Sequence, residues 1–458
     1  MLINIFFVFI SLVLIITSGY LYRIASSSRL SNPNMISISF WVLGALCFIP
    51  SLLILIDLNP VPDVDSDSII YGNFDNKLKA WILQNWLLIG VPIGAILARF
   101  FLSNFDNIKS RKFKNIPLKD IPIWGKLSEL TLFNTILCFF IISVFYVFVF
   151  SSKTNPLTVA LSGGSTAEIL TARNTFEFGI GIPLFDTIFK SDTVLLFSLI
   201  AMAMSIRENK LRWKILFILM LLFVFLLSII GGSTGSLIFY IAILVYLRYI
   251  LIGKLLYFKE FIAILTIVFL SFAYYKSGDD ASIKFIFNHI FARAFFDQTK
   301  GFYYSLQIFP NVHPHLIFTS SAIWINELFF GTSSLDYGHI LMYNYIPKAV
   351  EAGYAGHFTS IFITEMWSNF GWPGVLFGPI WVGFVICMFH NYFVKKQKSI
   401  LLLVLYGHLS IFGFGYFSDF VRFYYPVNIS LTYLGPIILL SFGYLFQITF
   451  NKNKTKSL

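Results

Sequence analysis

Long apolar runs alternate with short polar segments along almost the whole chain. Eleven runs occur, at 2–20, 35–56, 80–102, 128–150, 189–206, 215–231, 235–252, 260–275, 362–393, 399–417 and 429–449. Most approach the roughly 20 residues that a helix needs to cross the hydrocarbon core of a bilayer. The pattern therefore predicts an all-α polytopic integral membrane protein, with about 11 transmembrane helices forming a single membrane domain over residues 1–458.

The run at 362–393 is too long for one straight span. Gly371, Pro373 and Gly374 interrupt it, and proline inside a helix removes a backbone hydrogen bond and clashes with the preceding turn. We therefore expect a half-helix that enters from outside, followed by a full span.

Composition supports a membrane location. Charged residues make up 12% of the chain, whereas soluble domains average about 25%, which excludes an ordinary soluble enzyme. The apolar N-terminus has no basic region before it and no small-residue cleavage site, so we expect a retained first span.

Basic residues concentrate on one side of the predicted spans. That side holds 22 of the 33 Lys and Arg residues and five acidic residues, whereas the other side holds 11 basic and 17 acidic residues. Cytoplasmic loops are enriched in Lys and Arg, so the asymmetry predicts the orientation, with the N-terminus outside and the C-terminus inside. The net charge of +11 arises at span ends and does not indicate a nucleic-acid partner.

This orientation places the long segments outside. They are an acidic outer loop at 57–79 and two large extracytoplasmic loops at 151–188 and 276–361. No internal repeat is visible, which weakens a secondary-transporter interpretation.

Arginines in these loops are candidate phosphate ligands, because the planar guanidinium donates two hydrogen bonds at once. In 151–188, a capping-box pattern at Ser165–Glu168 predicts a short helix carrying Arg173 and Glu177 on one face. In 276–361, His289, Arg293 and Asp297 recur every four residues and would form one polar stripe on a helix. The alternatives are a surface ion pair and the wet face of an interfacial helix.

Two further outer segments carry candidate residues. At 353–379, His357 and Glu365 lie at the mouth of a span, where a carboxylate is costly unless it faces water, a partner or a substrate. At 418–426, Arg422 and Tyr424 would lie at the rim of a cavity, with Arg422 positioned for phosphate and Tyr424 for stacking on a sugar. A structural ion pair is the alternative in each segment.

Metal ligation is a weaker interpretation of two other patterns. His313 and His315 lack a third ligand at a convincing spacing. Asp63, Asp65 and Asp67 carry oxygen ligands that suit divalent ions, yet acidic outer loops also follow from topology. We assign neither a metal nor another cofactor.

The chain resembles the Wzy-type O-antigen polymerases, which assemble oligosaccharide repeat units of bacterial surface polysaccharides. The resemblance rests on the topology with two dominant outer loops, on the glycine-rich turn Gly231–Ser236, and on the stretch Thr359–Gly378 with Glu365 ahead of Gly371. The family often carries an arginine in the glycine-rich turn, where this chain has Thr234. Phosphate binding would then fall to Arg173, Arg293 or Arg422.

The resemblance implies a GT-C-like glycosyltransferase at the outer face of the bacterial inner membrane. Such enzymes use undecaprenyl-pyrophosphate-linked oligosaccharides and need no metal. Membrane lipids, a chain-length regulator and a flippase are the further partners it implies. Glu365, His357 and His289 are the expected catalytic candidates, and Arg173, Arg293, Arg422 and Tyr424 the expected substrate ligands.

Rival functions remain open on the sequence. An O-antigen ligase would share the large outer loop. A transporter or flippase of lipid-linked sugars would place polar residues along mid-membrane helix faces, whereas here the ionisable groups gather at the outer rim. A purely structural membrane protein would not need an outer loop this rich in Arg, His and aromatic residues.

Overall fold

The computed structural model describes residues 2–58, 73–102, 128–150, 155–164, 168–169, 171–172, 188–189, 192–230, 234–253, 296–319, 335–351, 358, 360–413, 420–424 and 426–456. The part of the chain that it describes is 85% helical and contains no β-strand. Within that part, the predicted all-α class is confirmed.

Sixteen α-helices and two π-helical segments make up the described chain. The helices are α1 (Leu2–Ser26), α2 (Met35–Leu43), α3 (Ile49–Leu55), α4 (Phe74–Phe101), α5 (Glu129–Phe150), α6 (Pro156–Leu161), α7 (Asp192–Glu208), α8 (Leu211–Ile230), α9 (Thr234–Ile252), α10 (Asp297–Ile308), α11 (Tyr337–Tyr345), α12 (Pro347–Glu351), α13 (Phe362–Lys395), α14 (Ile400–His408), α15 (Val421–Tyr424) and α16 (Pro426–Lys456). The π-helical segments are Gly44–Phe48, between α2 and α3, and Leu409–Gly413, after α14.

Helices overlap ten of the eleven apolar runs, and the run at 260–275 lies outside the described residues. Six stretches are long and apolar enough to cross a membrane, as expected of a polytopic membrane protein: Ile3–Ser26, Met35–Leu55, Phe74–Phe101, Glu129–Phe150, Leu211–Ser228 and Phe362–Lys395. The number eleven, and the side of the membrane on which each loop lies, stay predictions.

The chain divides into two compact units. Unit 1 comprises Met1–Phe113, Lys276–Lys395 and Ser410–Tyr425. Unit 2 comprises Lys114–Tyr275, Lys396–Leu409 and Pro426–Leu458. The described candidate residues all lie in unit 1.

Unit 1 is built on the packing of α13 against α4. A Cβ atom at Gly94 of α4 would lie 1.8 Å from the Ile380 carbonyl oxygen, and one at Gly383 of α13 would lie 1.8 Å from the Val91 oxygen. The two backbones therefore touch, as small residues allow in membrane helix pairs. Helix α1 joins the same core, because the Ser18 hydroxyl donates to the Leu88 carbonyl oxygen at 2.8 Å.

Helix α4 begins six residues before the apolar run that predicted it. The Asn73 side-chain oxygen accepts a hydrogen bond from the Asp75 amide at 2.9 Å and so caps the helix. Asparagine is among the strongest capping residues. The cap draws Asn76 and Lys79, which the sequence assigned to the acidic outer loop 57–79, into the first turns of α4.

Helix α13 is broken at Gly371, as the sequence predicted. Gly371 has φ 60° and ψ −135°, a backbone conformation that side-chain-bearing residues rarely adopt. Before the break, Met366 packs on the second piece: a Cβ at Gly374 would meet the Met366 carbonyl oxygen at 2.3 Å, and one at Gly378 would meet its sulfur at 2.7 Å. Residues 12 apart would be about 18 Å apart along a straight helix. The two pieces, Phe362–Phe370 and Trp372–Lys395, thus fold back on each other as a helical hairpin, named here the α13 hairpin.

The loop after α10 closes the tip of the α13 hairpin. The Leu316 amide donates to the Ser368 carbonyl oxygen at 2.9 Å, and the Ile317 amide donates to the Asn369 oxygen at 3.0 Å. These carbonyls end the first helical piece and have no partner within it, so the loop supplies their hydrogen bonds. Ile317 and Phe318 adopt positive φ to do so, at 40° and 69°.

Unit 2 is held by polar contacts between helices. In one, Glu129 at the start of α5 accepts hydrogen bonds from Arg212 at 2.7 Å and from the Trp213 indole at 2.8 Å, both from the first turn of α8. Lys210, in the turn between α7 and α8, also donates to Glu129, and this contact raises the pKa of the lysine. Farther along the bundle, Ser198 and Tyr240 are hydrogen-bonded at 2.8 Å.

Candidate functional site

The buried carboxylate of Glu365 joins two segments that the sequence singled out separately. Glu365 lies on the first piece of the α13 hairpin and is 2% exposed. Its Oε2 atom accepts a hydrogen bond from the Val421 backbone amide at 3.2 Å, at the start of α15. The amide end of a helix carries partial positive charge, which favours a carboxylate there. The contact brings the 353–379 and 418–426 segments together.

Helix α15 is fixed from a second direction. The Trp381 indole donates to the Phe423 carbonyl oxygen at 2.9 Å, and the Phe423 ring lies 6.1 Å from the Phe362 ring. Arg422 is half-buried on this one-turn helix, next in sequence to the amide that binds Glu365.

Four aromatic rings line the region between the tip of the α13 hairpin and α15. Phe318 lies 4.6 Å from Phe370 and 5.7 Å from Tyr424, and Phe420 lies 5.2 Å from Tyr424. Phe318 is 52% exposed, so one edge of this aromatic wall faces outward. Tyr424, which the sequence singled out for stacking on a sugar, is one of the four rings, and its role in sugar binding stays a prediction.

Lys79 is a candidate that sequence reasoning missed. Its ammonium nitrogen lies 4.3 Å from the Trp367 ring centroid and 5.3 Å from that of Trp372, within the range of cation–π attraction. Asp75 precedes it by one turn, yet no ion pair joins the two among the described residues. An ammonium has three N–H donors, so contacts with two ring faces leave at least one of them for an anion.

Two further buried polar groups belong to residues that neighbour Trp367 or Lys79. The His315 ring packs edge-on against Trp367 at 5.9 Å, and its Nδ1 atom is buried without a hydrogen-bond partner among the described residues. Asn76 lies one turn before Lys79, and its side-chain Nδ2 is likewise buried and unpartnered. Residues three apart share a helix face. Lys79, Asn76 and His315 thus form a donor cluster beside the tip of the α13 hairpin.

Helices α10 and α11 belong to the described part of the predicted loop 276–361, and hydrogen bonds join them to each other and to the start of the hairpin. The Ile361 amide donates to the Gln298 carbonyl oxygen at 3.1 Å, and the Tyr345 hydroxyl donates to Gln307 Oε1 at 2.6 Å. Burial raises the pKa of Tyr345 to about 12 and also raises the pKa of Tyr303. Both phenols stay protonated at neutral pH, so neither can serve as a base there.

Four of the predicted site residues, Arg173, His289, Arg293 and His357, lie outside the described residues, as do Asp63, Asp65 and Asp67. Asp297, the last member of the predicted stripe, is the first residue of α10. The described residues contain no group of three His, Cys, Asp or Glu side chains that could hold a metal ion.

The chain matches no protein-family model, no curated protein and no solved structure. The resemblance to Wzy-type polymerases therefore stays an expectation drawn from residue pattern and topology. The contacts within unit 1 are the observations from which we propose a function.

Proposed function

We propose that the protein is a glycosyltransferase that polymerises undecaprenyl-pyrophosphate-linked oligosaccharide repeat units. The observation that carries the proposal is the convergence of Glu365 and α15, with Arg422, Tyr424 and the donor cluster in the same unit. Ionisable groups on membrane-embedded helices are costly and are functional candidates by default. A carboxylate, cations and aromatic faces are the groups that this transfer requires.

The reaction joins two lipid-linked substrates. A hydroxyl at the non-reducing end of one unit attacks the anomeric carbon of the growing chain. A new glycosidic C–O bond forms, the bond between that carbon and the pyrophosphate oxygen breaks, and the lipid pyrophosphate leaves with the bonding electron pair.

Glu365 accepts the proton of the attacking hydroxyl. A carboxylate offers about four lone-pair positions on its two oxygens, and the bond from the Val421 amide occupies one of them. That bond also fixes the carboxylate, and a positioned base within hydrogen-bond reach contributes about 10²–10⁴-fold to a rate.

Cations stabilise the leaving pyrophosphate. Negative charge develops on its oxygens as the glycosidic bond breaks, and prepositioned donors aimed at such charge supply much of enzymatic rate enhancement. Arg422 is the described cation assigned to this role, whereas Lys79 binds the donor pyrophosphate before as well as during transfer, and Arg173 and Arg293 remain predicted contributors. Tyr424 and the aromatic wall support the sugar.

The proposed location is the bacterial inner membrane, with the active face outside. The charge asymmetry of the loops supports this orientation, since Lys and Arg mark the cytoplasmic side. A flippase and a chain-length regulator would supply substrates and set product length.

A gel of surface polysaccharide from a strain that lacks this gene, with and without the gene restored, tests the proposal. Lipid A–core bearing a single repeat unit, returning to a ladder on restoration, is the expected result. Core without any unit would indicate a ligase or an export defect. An unchanged ladder would overturn the proposal.

A further inference from the structure

A groove between α1 and α2 lies apart from the candidate site and remains unassigned. Its volume is about 910 Å³, and its walls are mostly apolar. Ile16 and Tyr20 of α1 are 70% and 63% exposed along it, and Trp41 of α2 is 54% exposed. An apolar groove of this size on a membrane helix pair fits a hydrocarbon chain.

One end of the groove is strongly basic. Arg23, in the last turn of α1, and Arg29, in the turn that follows, both line it and are exposed. Neither guanidinium group has a hydrogen-bond or ion-pair partner among the described residues, and no acidic side chain occurs among those that line the groove. By contrast, Arg99 of α4 is engaged, because its guanidinium donates to the Ile24 and Ala25 carbonyl oxygens.

The π-helical segment Gly44–Phe48 forms part of the opposite wall of the groove. Gly44, Ala45 and Phe48 all line the groove. A Cβ atom at Gly44 would meet nothing within 4 Å, so the absent side chain leaves open space. Single π-helical turns inside α-helices are rare and occur frequently at functional sites.

We infer that this groove binds an anionic phospholipid, with an acyl chain along α1 and the phosphate at Arg23 and Arg29. Guanidinium groups bind phosphate oxygens through paired hydrogen bonds. The groove runs from Ile15 to Arg23, eight residues or about 12 Å of helix, which matches part of an acyl chain. The charge asymmetry places the arginines at the cytoplasmic leaflet, so the occupant is distinct from the substrates of the proposed reaction.

Lipid retention measured by native mass spectrometry tests the inference. The protein would be purified from bilayers of phosphatidylglycerol and phosphatidylcholine, and the bound lipid counted. We expect preferential retention of phosphatidylglycerol by the unmodified protein. Each of Arg23→Gln and Arg29→Gln should weaken it about fivefold, because a basic residue near an anionic surface contributes roughly that factor.

Two further variants isolate the groove itself. Gly44→Leu keeps both arginines and fills the open space, and it should also reduce phosphatidylglycerol retention. Lys214→Gln removes an exposed charge of the same sign in unit 2 and should change nothing. Equal retention of the two lipids, or unchanged retention in Gly44→Leu, would overturn the inference. Far-UV circular dichroism would verify that each variant keeps its helical content.

Discussion

At the scale of single residues, Glu365 combines a structural contact with a proposed chemical role. The carboxylate holds the Val421 amide, and an unpaired buried amide costs free energy comparable to a lost hydrogen bond. Two substitutions separate the roles, because glutamine keeps an acceptor oxygen and loses the negative charge, whereas alanine loses both.

Glu365→Gln should preserve stability and abolish chain lengthening. Glu365→Ala should abolish chain lengthening and also lower the free energy of unfolding by about 1–3 kcal/mol, through the orphaned Val421 amide. Thermal unfolding in detergent and polysaccharide gels would report the two effects. Normal ladders in the glutamine variant would restrict Glu365 to a structural role.

Nothing in the sequence indicated that Lys79 lies against the Trp367 and Trp372 rings. Lys79→Gln should weaken binding of the lipid-pyrophosphate donor about tenfold, because one charge-assisted hydrogen bond is lost. The substitution should therefore raise KM more than it lowers kcat. Lys79→Arg should restore much of the affinity, because it restores the cation.

The control for Lys79 is Lys348→Gln, which removes an exposed lysine of the same unit in α12. It should leave donor affinity unchanged. Equal KM values for Lys79→Gln and the unmodified protein would remove Lys79 from the site.

At the scale of elements, the α13 hairpin depends on one glycine. In Gly371→Ala, the new Cβ would lie 2.7 Å from His315 Nε2, at a backbone conformation with positive φ. Such strained conformations cost about 1–3 kcal/mol each, so the unfolding midpoint should fall. Chain lengthening should fall with it, because the tip of the hairpin carries Phe370 and the contacts of Trp367.

Gly44→Ala is the matched control for this substitution. Gly44 has φ −60° and ψ −46°, and its Cβ would meet open space. Alanine there should be neutral or stabilising by about 0.5–1 kcal/mol, since glycine in a helix carries an entropic cost. Equal destabilisation by the two substitutions would contradict the role given to Gly371.

The Glu129 contacts in unit 2 give a second element-scale prediction. Trp213 is fully buried, and its indole donates to Glu129. Glu129→Leu should lower the free energy of unfolding by about 1–3 kcal/mol, since a buried donor is left unpaired. Glu129→Gln keeps an acceptor for the indole and loses the ion pairs with Lys210 and Arg212, which are partly exposed and therefore contribute little. Denaturant unfolding that fails to separate the two variants would contradict this.

At the scale of the whole molecule, local patterns predicted much of the fold. Ten of the apolar runs coincide with helices, and Gly371 with its neighbours located the break in α13. Hydropathy and backbone preferences act within a few residues, so a single sequence reveals them. The start of α4 was missed because the Asn73 cap extends the helix through polar residues.

The site was less predictable because it depends on long-range contacts. Glu365 and Arg422 were proposed from their residue type and position, yet nothing in the sequence shows that residue 365 meets residue 421. The cation–π contact of Lys79 joins residues nearly 300 positions apart.

Reconstitution tests the proposed polymerisation most directly. The purified protein would be placed in liposomes with an undecaprenyl-pyrophosphate-linked repeat unit, and the products separated by length. Polymerisation predicts a ladder of repeat-unit multiples, with one undecaprenyl pyrophosphate released for each linkage formed. The Glu365→Gln variant should yield neither the ladder nor the released lipid pyrophosphate. Single units alone, with no release of lipid pyrophosphate from the unmodified protein, would contradict it.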